Sequence, residues 1–159
     1  MAEFWKELVH NPMMVSAALA WLTAQVIKTV LVLVMERRFV PERLFGSGGM
    51  PSAHSATVCA LVTSVGFSYG GSGAAFPLAF FFAFIVMYDA RGVRRETGEQ
   101  AKLLNELLQE WKESGRKVES RDPMDQFKEL VGHTPLQVFI GALLGIAVAV
   151  AVHFGFYAG

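Results

Sequence analysis

The sequence has one cysteine, six prolines and no surplus of charge of either sign. The lone cysteine, Cys59, excludes a disulfide framework, and its place in an apolar run suits a small buried side chain. Fourteen basic residues cancel fourteen acidic ones, so there is no global field to attract nucleic acid, and no nucleic-acid partner is expected. The start also lacks the shape of a cleaved signal peptide. Such a peptide has a basic beginning and an apolar core of roughly 7–15 residues. Here Glu3, Lys6 and Glu7 precede a longer apolar run. No internal repeat and no low-complexity segment is visible.

What the chain has in abundance is apolar side chains, which make up 53% of its 159 residues. They gather into four stretches: Pro12 to Met35, about Ser52 to Tyr69, Ala74 to Tyr88 and Thr134 to Tyr157. A membrane-spanning helix needs about 20 mostly apolar residues, with about 17 tolerated. The third stretch reaches that length only by continuing into Asp89-Ala90-Arg91. The expected fold is therefore all-α: a polytopic membrane helix bundle of about four transmembrane helices. Glu3 to Asn11 is expected to lie at the interface, with Phe4 and Trp5 at headgroup level.

The charges sit between these stretches. Arg37, Arg38 and Arg43 follow the first, and nine basic residues run from Arg91 to Lys128 after the third. By the positive-inside rule both segments are cytoplasmic and both termini lie outside. Gly70-Gly71-Ser72-Gly73 is an uncharged turn, which makes spans two and three an antiparallel hairpin. Within the long charged segment, Leu103, Leu104, Leu107, Leu108 and Trp111 fall on one helical stripe, so Ala101 to Lys112 reads as an amphipathic helix. Glu113 to Asp122 reads as a linker and Asp125 to Val131 as a short helix. Residues 1–159 are thus expected to form one membrane domain with a cytoplasmic helical insertion at about 96–131. A bacterial cytoplasmic membrane is the expected location.

Four polar features fall on the cytoplasmic side. Lys28 lies inside span one, with Gln25 on the same face. A cation in a membrane helix is expensive and marks a functional site by default; the plainer reading is a lysine that snorkels to the interface. Gly48 to Ala56 combines close-approach glycines, a helix start at Pro51 or Ser52, and His54 one turn inside. That is an anion site in outline, or an ordinary capped turn. Asp89 to Arg95 closes span three and would serve equally as a stop-transfer cluster. Gly132-His133-Thr134-Pro135 opens span four, with Thr134 a plausible cap and Pro135 at the first helical position. Two histidines, a carboxylate and several cations at one depth suit phosphoryl transfer. One histidine attacks phosphorus, another protonates the leaving oxygen, and cations hold the charge on the phosphoryl oxygens.

This order of motifs resembles the type 2 phosphatidic acid phosphatase and vanadium haloperoxidase superfamily. Gly49-Met50-Pro51-Ser52-Ala53-His54-Ser55-Ala56, Asp89-Ala90 with Gly92-Val93-Arg94-Arg95, Gly98, Gln100-Ala101, Leu104-Asn105 and Gly132-His133-Thr134-Pro135 are similar to its divergent branch of small membrane proteins. The resemblance implies that His133 is the nucleophile and forms a phosphohistidine. It gives His54 the leaving group to protonate, and Ser52 with the following backbone the phosphate oxygens to hold. Lys28 and Arg37 or Arg38 resemble the first-motif cations.

The chain departs from the parent pattern at several points. Eight residues separate Lys28 from Arg37, a wider spacing, and Phe39 follows Arg38 where the parent has proline. Ala53 replaces a glycine. Phe127 stands where the parent has arginine, a cation that Arg94 or Arg95 could supply. Gln137 stands where the parent has the aspartate that orients the nucleophilic ring; its amide oxygen can accept the same hydrogen bond but brings no charge. Asp89 or Glu129 could take over that task, with Asp89 the preferred candidate.

The implied activity removes phosphate from a lipid phosphate or prenyl (di)phosphate at the cytoplasmic leaflet, with no cofactor and no metal ion. The alternative is a non-catalytic membrane protein that uses the same site to bind anionic lipid or to act as a scaffold. The expected partners are the lipid phosphate and membrane lipids, and homo-oligomerisation is left open.

Overall fold

In the structure, a computed structural model, residues 1–37, 49–114 and 133–157 are described. The elements are helices: α1 (Ala2–His10), α2 (Pro12–Glu36), α3 (Ala53–Tyr69), α4 (Ala75–Arg91), α5 (Val93–Glu113) and α6 (Pro135–Val152), followed by a π-helical turn, His153–Tyr157. Local chemistry sets the boundaries. Asn11 caps α2, its Oδ1 accepting from the amides of Met13 and Met14 at 2.9 and 3.2 Å, while Pro12 takes the first helical position, where its missing N–H costs nothing. Arg37 ends α2 in the left-handed region, φ 51°. Gly70, at φ 69°, ends α3. Between α4 and α5 the chain breaks only at Gly92, so the expected extension of span three to Arg91 is observed. The amphipathic helix is longer than its apolar stripe and starts at Val93. The expected linker from Glu113 lies outside the described residues beyond Ser114. The helix expected at Asp125 to Val131 lies wholly outside them.

α3 is the central helix and packs against α2, α4 and α6. Its direction relative to each follows from contacts. Gly66 meets Phe76, and the Cys59 thiol lies 3.7 Å from the Met87 sulfur, so α3 and α4 are antiparallel, as their glycine turn requires. Gly141 lies on Ser52 and Gly145 on Ala56, so α3 and α6 run parallel and begin at the same end. The core between α2, α3 and α6 is built of small residues: Ala20, Ala24, Ala53, Ala56, Ala60 and Ala149. A Cβ on Gly141 or Gly145 would run into the carbonyl of Ser52 or of Ala56. Lipid is as apolar as any side chain, so helices in a membrane gain more from close backbone approach than from burying bulk.

The large apolar residues accordingly point outward. Phe81, Phe84 and Ile85 of α4, Val26 and Val30 of α2, and Leu136 and Phe139 of α6 are exposed on the bundle surface. Among the described residues, three helical runs are long and apolar enough to cross a membrane: Pro12–Met35, Ala75–Trp111 and Pro135–Tyr157. α3 has 17 residues, and the expected count of four crossings is not reached on length and hydropathy alone.

Candidate functional site

The parallel start of α3 and α6 brings their N-termini together, beside the C-terminal ends of α2 and α4. Two backbone hydrogen bonds stitch this end. The Ser52 amide donates to the Gln137 carbonyl at 3.1 Å, and the His133 amide donates to the Ala90 carbonyl at 3.1 Å. The second bond links the segment before α6 to the last turn of α4. Three stretches that are distant in sequence, around 52, 90 and 133, therefore meet at one place.

A cavity of about 460 Å³ opens at that end. Its polar lining is Gln25 and Lys28 from α2, His54 and Thr57 from α3, and His133. Its apolar wall is Trp21, Val58, Phe82 and Val86. Lys28 is only 2% exposed and so does not snorkel to the surface. Gly49, at φ 79°, runs along its stem, and a Cβ there would sit 3.4 Å from Lys28 Cγ. A glycine is favoured at this point both by the backbone conformation and by the close approach. Ala53 and His54 are the first two residues of α3, whose amides have no acceptor within the helix and carry its positive dipole end. A lysine, two imidazoles and a helix start, set against an apolar wall, are groups that can together receive an anion with a hydrocarbon tail.

His133 is 2% exposed, and its ring centroid lies 5.8 Å from that of His54, edge to face at 64°. Its Nδ1 is 3.2 Å from Gln137 Oε1. The same oxygen accepts the Thr134 amide at 3.1 Å, and the Gln137 amide donates to Thr134 Oγ1 at 3.3 Å, completing a capping box. Because the box fixes which end of the amide faces Thr134, the group facing Nδ1 is an acceptor. A hydrogen bond here requires the tautomer with the proton on Nδ1, which leaves the lone pair on Nε2.

The other candidates fall as follows. Ser52 is fully buried as the cap of α3; its Oγ accepts from the amide and hydroxyl of Ser55 at 3.4 and 3.1 Å, and it does not line the cavity. Asp89 is half-buried next to Ala90, at the depth of His133. Arg37 is exposed at the end of α2 and is not part of the cavity lining. Arg38, Phe127, Glu129 and the side chains of Arg94 and Arg95 lie outside the described residues. Among the described residues no cluster of three or more His, Cys, Asp or Glu could hold a metal ion.

Sequence reasoning treated Gln137 as a lost aspartate and missed its place in the capping box, although Thr134-x-x-Gln137 carries that signal. It also missed Trp21, Phe82 and Val86, which join the site only because helices remote in sequence face one another.

The match that decides the family covers residues 9–148, most of the chain and every residue of the candidate site. The chain belongs to the Divergent PAP2 family. It is also 36% identical, over 156 residues, to the "Uncharacterized membrane protein YuiD" of Bacillus subtilis (strain 168), covering 94% of this chain and 99% of that protein. No solved structure matches. The Divergent PAP2 assignment makes this a phosphatase-related membrane protein, in agreement with the resemblance carried by Gly49 to Ala56 and Gly132 to Pro135.

Proposed function

We propose that the protein is a metal-independent phosphohydrolase that removes phosphate from a lipid phosphate or prenyl (di)phosphate. The observation that carries this reading is the state of His133. The ring is buried in the wall of the cavity that Lys28 and His54 also line, and Gln137 Oε1 stands 3.2 Å from its Nδ1, which supports Nε2 as the attacking nitrogen in this proposal. In the proposed reaction Nε2 attacks phosphorus and the P–O bond to the lipid breaks. His54 gives the leaving oxygen its proton. Water then attacks the phosphohistidine, His54 takes the proton back, and the P–N bond breaks to release inorganic phosphate. Lys28 and the first amides of α3 hold the charge that spreads over the phosphoryl oxygens. Asp89, Arg94 and Arg95, at the α4–α5 junction, are the candidates for further charge stabilisation.

The site faces the cytoplasm in this proposal, in a bacterial cytoplasmic membrane. The basic segments after α2 and α4 and the bacterial relative support this placement. α3 is proposed as a fourth crossing. A non-catalytic role, binding anionic lipid in the same cavity, is the second reading, supported by the absence of the parent aspartate at Gln137.

Phosphate release from a panel of lipid phosphates by purified protein separates the two. Turnover is expected to survive EDTA and to be inhibited by vanadate, which mimics five-coordinate phosphorus and binds such sites far more tightly than substrate. His133→Ala is expected to abolish turnover in a protein that still folds. Full complementation of function in cells by His133→Ala would instead establish the binding role.

A further inference from the structure

We propose that the ligand's hydrocarbon tail leaves the cavity sideways, through a mouth between α2 and α4 framed by Trp21 and Phe82, and continues into the bilayer. The proposal rests on reading the cavity as an anionic-lipid site, and it adds the path and the extent of the tail. Along α2 the lining residues run Lys28, Gln25, Trp21, away from the site end, and along α4 they run Val86, Phe82 in the same direction. α2 and α4 both end at the site, so the cavity is polar at that end and apolar two helical turns inward. Exposure changes in step. Lys28 is 2% exposed, whereas Trp21 is 39% and Phe82 54% exposed. A closed pocket would bury its apolar end, and this one brings it to the surface. That surface lies within two runs apolar enough to cross a membrane, Pro12–Met35 and Ala75–Trp111, so what it meets is lipid.

The packing leaves room for such a mouth. α2 and α4 each pack along α3 but hardly against each other, and α6 contributes no residue to the lining. Thr57 and Val58 of α3 therefore form the floor of a groove whose two walls are α2 and α4. A lipid of the leaflet on the site side already has its phosphate at that end and its tail pointing inward. It would enter by moving sideways, without turning over and without taking its tail through water. The groove also limits what is read. Trp21 stands two helical turns from Lys28, a rise of about 10 Å. An extended alkyl chain advances about 1.3 Å per carbon, given the length of a C–C bond. About eight carbons thus lie against protein, and those beyond them lie against lipid. The ligand is then a bilayer-held alkyl or prenyl phosphate whose tail length past that point is not measured.

Tail position is tested by photolabelling full-length protein in phosphatidylcholine nanodiscs. The two probes are hexadecyl phosphate with a diazirine at the sixth carbon or at the fourteenth, and labelled residues are read by peptide mass spectrometry. Protection of His54, a half-buried lining residue, from diethyl pyrocarbonate reports the anion end without needing turnover. The sixth-carbon probe is expected to label Trp21, Phe82 or Val86, with the label lost to excess hexadecyl phosphate and kept in excess hexadecanol. The fourteenth-carbon probe is expected to label none of the three. Val86→Trp, which fills the groove, is expected to raise the concentration that half-protects His54 by at least about tenfold. Ile85→Trp, on the same turn but exposed and outside the lining, should leave it unchanged. Labelling of the three residues by both probes would overturn the sideways path, as would an unshifted Val86→Trp. Protection of His54 without label in the groove would overturn it too and leave the site reading intact, the groove then belonging to bulk lipid or to a second copy of the chain. Neither label nor protection would overturn both. Label lost to hexadecanol as well would keep the path and overturn the anion reading. The labelling is read on the native sequence and decides the matter even if Val86→Trp fails to fold.

Discussion

At the scale of single residues, the exchange of aspartate for Gln137 would change how the proposed nucleophile, His133, is prepared without removing the preparation. An aspartate would orient the ring and, in the proposed reaction, stabilise the cation that forms on His133. Gln137 Oε1 can do only the first, as an acceptor 3.2 Å from Nδ1. The tautomer is set at the cost of the charge term. Removing the acceptor should therefore be severe, since a ring in the wrong tautomer loses orders of magnitude. Gln137→Leu is expected to lower kcat by at least about a hundredfold with little change in KM. Gln137→Glu keeps an oxygen for both the Thr134 amide and Nδ1–H, and it is expected to retain turnover. Asp89, the carboxylate preferred from sequence, sits at the same depth. If Asp89→Asn proves more damaging than Gln137→Leu, the tautomer is governed from α4 and the Gln137 assignment fails.

At the scale of elements, the site depends on how closely α3 and α6 approach. His54 and His133 sit at the starts of these two parallel helices, and their separation is set where Gly141 and Gly145 lie on the backbone of Ser52 and Ala56. A carbonyl cannot rotate away as a side chain can. Gly145→Val is therefore expected to destabilise the protein by at least about 2 kcal/mol, read as a lowered Tm in detergent, with turnover lost in parallel. Gly155→Ala, where a Cβ meets nothing within 4 Å, is the control and should be silent. The helices themselves were legible in the sequence, because apolar length, Asn11, Gly70, Gly92 and the Thr134-Pro135 start are local signals. So were Lys28, His54 and His133, as polar residues where polarity is costly. The approach of α6 to α3 was not. Gly141-x-x-x-Gly145 marks a close face, but which helix it meets is settled by the arrangement of all four. That the Gln137 amide oxygen can accept the ring's hydrogen bond was legible; its place in the capping box with Thr134 was not read, because attention went to the absent carboxylate.

At the scale of the molecule, one end of the bundle carries the candidate site and the other ties the two ends of the chain together. At the far end, His153 stacks on Phe67 at 4.1 Å, and the Tyr157 hydroxyl donates to the His10 carbonyl at 2.9 Å, tying the last turn of the chain to α1. At the site end lie the last turns of α2 and α4 and the first turns of α3 and α6, and the basic segments begin there. By the positive-inside rule that end is proposed to face the cytoplasm, because basic segments near a membrane are retained on that side. The direction of α3 then fixes the side of the glycine turn. If α3 crosses, Ser72 is outside while Ser114, just past α5, is inside. If it enters from the site end and returns, both lie inside. Single cysteines at these two exposed positions, introduced after Cys59→Ala, report the difference through labelling of intact cells with an impermeant thiol reagent. Ser72→Cys is expected to react and Ser114→Cys to be protected. Protection of both would leave two crossings, α2 and α6, and make α3 and α4 a hairpin that enters and returns on the same side. Reaction of Ser114→Cys with protection of Ser72→Cys would place the histidines on the outer face and end the proposal of a cytoplasmic site.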